Sequence, residues 1–166
     1  MGGKRTRTIQ FDDPAAAAAT TMGKSGLELL RALIESQVPA APIQLTLGME
    51  LTEVSDGFAK LELEPGEHLY GSFGVVHGGV TGTLLDGAMG AAVLTTLDAK
   101  TGCSTVTLSV HFTRAITTRM PRVVVEGWVV HRGSRLVTAE ARLKDAQGRL
   151  IAHGSGTYAL TERAQS

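Results

Sequence analysis

Residues 74–97 read GVVHGGVTGTLLDGAMGAAVLTTL, and a single charged residue, Asp86, stands among them. Six glycines share the run, two of them in the His77-Gly78-Gly79 that opens it. A helix this apolar on all sides belongs inside a protein or a membrane. A carboxylate placed there must be desolvated, and burying it unpaired is costly. The run is long enough to span a bilayer. Asp86 would then sit near mid-bilayer, six glycines and four threonines dilute the hydrophobicity, and no basic flank anchors either end. The run therefore reads as a buried helix over about 78–97, with no membrane as partner.

What surrounds the run is strand-like. Upstream, 45–54 and 58–64 flank Asp56-Gly57, a strong hairpin signal. Ala59, Leu61 and Leu63 alternate there with Lys60, Glu62 and Glu64, the pattern of a half-buried strand. Downstream, four strands are expected at about 104–114, 122–132, 135–145 and 149–160. Val106, Leu108, Val110 and Phe112 alternate with Thr105, Thr107, Ser109 and His111, and Val137, Ala139, Ala141 and Leu143 with Thr138, Glu140, Arg142 and Lys144. The turns at 132–135 and 145–148 are short enough for hairpins. Before all of these, Ser25 and Glu28 form an S-x-x-E capping box for a helix over about 25–37, whose stripe is Leu27, Leu30, Leu33 and Ile34. Strands segregated from helices give the α+β class. The architecture that buries the 78–97 helix on most sides is an antiparallel sheet of five to six strands wrapped around it.

The chain has 166 residues, enough for one domain with a real core, here expected over 25–160 between a flexible tail at 1–24 and a short tail at 161–166. Sixteen basic and sixteen acidic residues cancel, so nothing favours nucleic acid as a partner. A single cysteine, Cys103, excludes an internal disulfide, and with no secretory signal the expected compartment is cytoplasmic. Gly2 and Thr6 fit the loose N-myristoylation pattern, which is short enough to arise by chance.

A helix N-terminus offers unpaired N–H groups and partial positive charge. Gly78 and Gly79 let a substrate approach that backbone closely, as a developing oxyanion at an ester or thioester carbonyl requires. Asp86 lies eight residues on, about 12 Å along the same axis. One helix cannot close both contacts on one carbonyl, so the spacing points to a site shared across a dimer.

The stretch G-V-V-H-G-G-V-x-x-T-L-L-D-x-A-M-G resembles the hotdog-fold acyl-CoA thioesterases of the phenylacetic-acid-degradation branch, supported by Leu47-Gly48-Met49 and Gly57-Phe58-Ala59 upstream and by TVTLSVHFTRAI at 105–116. The resemblance covers about 43–160. It implies a hotdog fold, a homodimer pairing into a homotetramer, and hydrolysis of an acyl- or aryl-CoA thioester with neither metal nor cofactor, CoA being part of the substrate. Carried over by position, Asp86 matches the catalytic carboxylate, as nucleophile or general base. Gly78 matches the residue whose N–H polarises the carbonyl, His77 a supporting residue, and Thr105 a hydroxyl that positions water. Val76, Gly79, Gly71 and Ser72 fall around the substrate. Gly71 departs from the pattern, since many relatives carry Asn or Gln there. Arg132, Gly133, Ser134 and Arg135 form a turn where such proteins often meet the nucleotide of CoA.

Blander readings stand beside these. Asp86 could be a buried acid satisfied by hydroxyls, His77 a helix cap, and Arg132 and Arg135 solvated turn residues. His68, His111, His131 and His153 show no metal-ligand spacing, Cys103 reads as structural, and Trp128 as sheet packing. Gly154-Ser155-Gly156 is not a nucleophile elbow. The functional alternative is a protein of the same fold that binds acyl-CoA with little or no catalysis.

Overall fold

In the computed structural model, which describes residues 3–163, three short helices lead into the sheet: α1 (Pro14–Ala19), α2 (Gly26–Ile34) and α3 (Pro42–Leu47). The hairpin β1 (Met49–Ser55) and β2 (Phe58–Leu63) follows, then the long helix α4 (Gly78–Thr95). The strands β3 (Thr101–Phe112), β4 (Val123–Arg132), β5 (Leu136–Asp145) and β6 (Leu150–Glu162) complete the chain. Gly2 and residues 164–166, part of the expected C-terminal tail, lie outside the described residues.

All strand pairs are antiparallel, in the order β1-β2-β4-β5-β6-β3. The sheet curls enough that α4 touches every strand. This is the helix-in-sheet arrangement expected from the sequence. Leu84, Leu85, Ala88, Met89, Ala92 and Val93 of α4 have no exposed surface, and full burial of each larger side chain contributes about 1.5–3 kcal/mol. From the sheet they meet Ala59, Leu61 and Leu63, then Val137, Ala139, Ala141 and Leu143, the two alternating sets predicted to face inward. The helix lies so close to β4 that a Cβ on Gly127 would stand 2.5 Å from the Ala88 carbonyl carbon. No side chain fits there.

One expectation fails. The strand predicted over 45–54 begins only at Met49, because the preceding residues form α3. Pro42 sits in the first turn, where its missing N–H costs nothing. The Gln44 side chain accepts the Ala41 N–H at 3.0 Å, and Gly48 closes the helix at φ 76°. Two boundaries also move. Helix α2 stops at Ile34, with Ser36 left-handed at φ 57°, and β3 starts at Thr101, three residues early.

The two sheet edges differ. Helices α2 and α3 pack over β1, whereas β3 pairs with β6 alone among the described residues. A bulge between Thr105 and Thr107 interrupts β3 and flips the side-chain alternation. Thr105 therefore faces α4, as do Val110 and Phe112 beyond the bulge. On the outer face of the sheet His111 and His153 stack at 4.9 Å, and Arg142 lies over Trp128.

Candidate active site

Helix α4 starts on a set of backbone donors, all but one of them used. The Val76 N–H goes to Ile116 and the His77 N–H to Leu69, each at 2.9 Å. His77 is the N-cap, its Nδ1 accepting the Gly79 N–H at 2.9 Å, and its carbonyl takes the Val80 N–H at 3.0 Å. The Gly78 N–H has no partner among the described residues. It is exposed, at the positive end of an 18-residue helix. The Phe112 ring lies 3.4 Å from where a Gly78 Cβ would stand.

Two turns further on, Asp86 is held through one oxygen. Thr105 Oγ1 and the Tyr158 hydroxyl each donate to its Oδ1 at 2.9 Å, and the Tyr158 hydroxyl also lies 3.1 Å from the Asp86 carbonyl. Oδ2 has no partner among the described residues. Tyr158 is 1% exposed. Burial first, then the Asp86 charge and hydrogen bond, raise its pKa far above the ordinary value, so it remains a donor. Burial and Asp86 likewise push the Cys103 thiol up, against a smaller opposing pull from Arg163. The thiol is thereby kept neutral and a poor nucleophile.

Asp86 opens onto an apolar cavity of about 700 Å³ between α4, the N-terminal helices and the edges of the curled sheet. Leu30, Leu33, Ile43, Leu51, Leu61 and Leu94 supply most of its apolar lining, and Thr105, Cys103 and Tyr158 stand beside the carboxylate. Asp86 is thus half-buried, neither sealed in the core nor freely solvated.

The structure brings Thr105 to Asp86 and gathers Val76, His77, Gly78 and Gly79 at the helix start. It keeps these two groups apart: eight residues of α4 separate Gly78 from Asp86, about 12 Å. Gly71 sits against His77, a Cβ there falling 3.4 Å from the ring, and Ser72 is exposed in the adjoining turn. Arg132, Ser134 and Arg135 are exposed in the β4–β5 turn, which the Gly133 N–H closes onto the Leu136 carbonyl. None of the four lines the Asp86 cavity. Sequence reasoning missed Tyr158, whose one available signal is a lone aromatic in a strand of small residues, Gly154 to Ala159. Among the described residues no group of three His, Cys, Asp or Glu could hold a metal ion, and no helix is long and apolar enough to cross a membrane.

The sequence model of the thioesterase superfamily matches residues 73–152, which contain the whole of α4 and most of the site. A Saccharolobus solfataricus protein named "putative esterase" is 30% identical over 138 residues, 82% of this chain and 96% of that protein. A conserved protein of Pseudomonas aeruginosa superposes with a TM-score of 0.69 at 27% identity, over 74% of this chain and 95% of its own. The PaaI protein of the E. coli phenylacetic acid degradation operon shares the fold with a TM-score of 0.65 at 16% identity, over 72% of this chain and 83% of its own. The chain belongs to the thioesterase superfamily, as a hotdog-fold protein of the class that hydrolyses thioesters and esters.

Proposed function

We propose that this protein hydrolyses an acyl- or aryl-CoA thioester to the free acid and CoA, at a site shared by two subunits. The observation that carries the reading is Asp86, a carboxylate with one oxygen pinned by two hydroxyls and the other unpartnered on an apolar cavity. As general base it takes a proton from water while the hydroxyl attacks the carbonyl carbon. The C–S bond then breaks, and the proton passes to the departing sulfur. As nucleophile it attacks the acyl carbon, the C–S bond breaks to release CoA as its thiolate, and water then cleaves the resulting anhydride to the free acid and the Asp86 carboxylate. In either route the carbonyl oxygen becomes an oxyanion, and the free Gly78 N–H is suited to hold it. The reaction needs water alone as co-reactant, and no metal or cofactor takes part.

The bare edge supports the dimer. Val106, Leu108 and Phe112 on β3 are 58%, 42% and 59% exposed, a poor surface to leave in water. Thr105, in the first half of β3, touches Asp86, and Phe112 at its C-terminal end lies against Gly78. Two β3 strands paired antiparallel about Leu108–Ser109 set residue 105 of one opposite residue 112 of the other. Asp86 then comes toward Gly78 of the partner subunit, which resolves the 12 Å separation within one helix. In this reading Val76 and Gly79 line the shared site, His77 fixes the helix start, Gly71 and Ser72 border the acyl thioester, and the turn carrying Arg132, Gly133, Ser134 and Arg135 meets the CoA phosphates. Pairs of dimers form the homotetramer, and the setting is cytoplasmic.

Thiol release from a panel of acyl-CoAs tests this. Asp86→Asn is expected to slow release by about 100-fold or more, the loss of an acid–base group. Gly71, where related enzymes present an amide side chain, favours a second reading in which acyl-CoA binds without turnover. Binding with no thiol release from any member of the panel would establish that reading and end the first.

A further inference from the structure

We propose that the cavity beside Asp86 is a slot of defined length for the acyl group, taking an unbranched chain of medium length, and that α2 and α3 set where it stops. The proposal rests on the thioester reading of Asp86. Two properties of the cavity carry it: its direction and its closed end.

The cavity runs along the face of α4 turned toward the N-terminal helices and the sheet edges, where Thr83, Asp86, Gly87, Gly90, Ala91 and Leu94 recur at helical spacing. Beyond Asp86 the floor is Gly87, Gly90 and Ala91, too small to fill it, and it ends against Leu94. Eight residues of helix make that floor about 12 Å long, room for a straight chain of about eight to ten carbons. Leu30 and Leu33 of α2 and Ile43 of α3 form the roof, and Leu51 and Leu61 of the hairpin form the side. These aliphatic walls suit a hydrocarbon tail.

The far end is shut by backbone. The Gly26 N–H donates to the Leu97 carbonyl at 3.0 Å, and a Cβ on Gly26 would fall 1.8 Å from the Leu94 oxygen, so no chain threads between α2 and α4. Arg163 is the other charged residue on the lining, and its guanidinium donates to the Lys24 carbonyl at 3.1 Å. A carbonyl partner does not cancel that positive charge, so the lining sets the length of the chain rather than the charge of its end. The roof belongs to residues 26–47, upstream of the segment the superfamily model matches. Chain-length selection is thus built from a part of this protein that lies outside the shared hydrolytic segment.

The test measures kcat/KM for straight-chain acyl-CoAs from two to sixteen carbons in the wild type and in Leu33→Trp and Ile43→Trp. Calorimetric binding of the same series to Asp86→Asn accompanies it. Wild-type kcat/KM is expected to rise about 4-fold per methylene, then stop rising near eight to ten carbons. A Trp in the roof moves that break to shorter chains, and binding to Asp86→Asn follows the same rise and break. Rates and affinities indifferent to length, or climbing unbroken through sixteen carbons, overturn the slot. So does a break left in place by both roof variants while they melt as the wild type does. If no thioester is cleaved, the proposed hydrolysis fails, but the binding series on Asp86→Asn still decides the slot.

Discussion

The two long faces of α4 are almost equally apolar and behave in opposite ways. Toward the sheet stand Leu84, Leu85, Ala88, Met89, Ala92 and Val93, without exposed surface and without a polar atom in their side chains. Toward α2, α3 and the sheet edges stand Thr83, Asp86, Gly87, Gly90 and Ala91, bordering an open cavity. Size, rather than polarity, separates the faces. Large side chains fill the sheet face to interior density, and small ones leave the other face hollow, with one carboxylate exposed to the hollow. Stability is thus concentrated on one side of the helix and the proposed chemistry on the other, and substitutions on the two sides should fail in different ways.

The largest contrast is expected between Asp86→Asn and Met89→Ala. The amide oxygen of Asn can still accept from Thr105 and Tyr158, so the Asp86 variant should keep the wild-type melting temperature while losing its activity. Met89→Ala opens a hole in the packed face and should lower stability by about 2–5 kcal/mol, read by denaturant melting, with turnover per folded molecule preserved. An unfolded Asp86→Asn would erase the contrast, and so would a Met89→Ala that is stable but inactive.

Tyr158 joins the two faces, since its ring is in the core and its hydroxyl is on Asp86. Tyr158→Phe keeps the ring and removes the donor. Loss of a hydrogen bond to a charged group should lower kcat about 10-fold with KM little changed, while stability falls by about 1 kcal/mol. If KM moves and kcat does not, the hydroxyl serves binding rather than the aim of the carboxylate.

How much of this could be read from the sequence follows the range of each interaction. The apolar run, the Asp56-Gly57 hairpin and the strict alternation of β2 and β5 are local patterns, and the structure reproduces them. Asp86 was legible because a lone charge in an apolar helix is conspicuous. Gln44 to Leu47 also alternates polar and apolar, yet Pro42 and Gly48 bracket it as a helix, and these end signals decide the outcome. In β3 uninterrupted alternation sets Thr105 on the face opposite Phe112. The bulge brings both to α4, and no local residue preference announces it. Tyr158 stands 72 positions from Asp86, and only closure of the sheet joins them. The cavity was illegible for a similar reason: its roof comes from α2 and α3, its floor from α4 and its side from the hairpin.

The smallest expected effect comes from a site on neither face, the β5–β6 turn, and it shows how a purely structural acid differs from Asp86. Asp145 is 3% exposed. Burial alone would push its carboxyl up, but hydrogen bonds from the Arg149 N–H and side chain and from the Gln147 N–H outweigh burial and hold it below the ordinary value. A carboxyl whose pKa is lower folded than unfolded adds stability above its unfolded pKa, and that stability drains away as pH falls through the folded value. Asp145→Asn should therefore melt below the wild type at pH 7, and the gap should close below about pH 4, with thiol release unaffected. An equal gap at pH 7 and pH 3 would mean that the turn relies on the shape of the side chain and not on its charge. Among the described residues Asp86 has hydroxyl partners and no cation in place of this ring of N–H donors, and one of its oxygens is left without a partner.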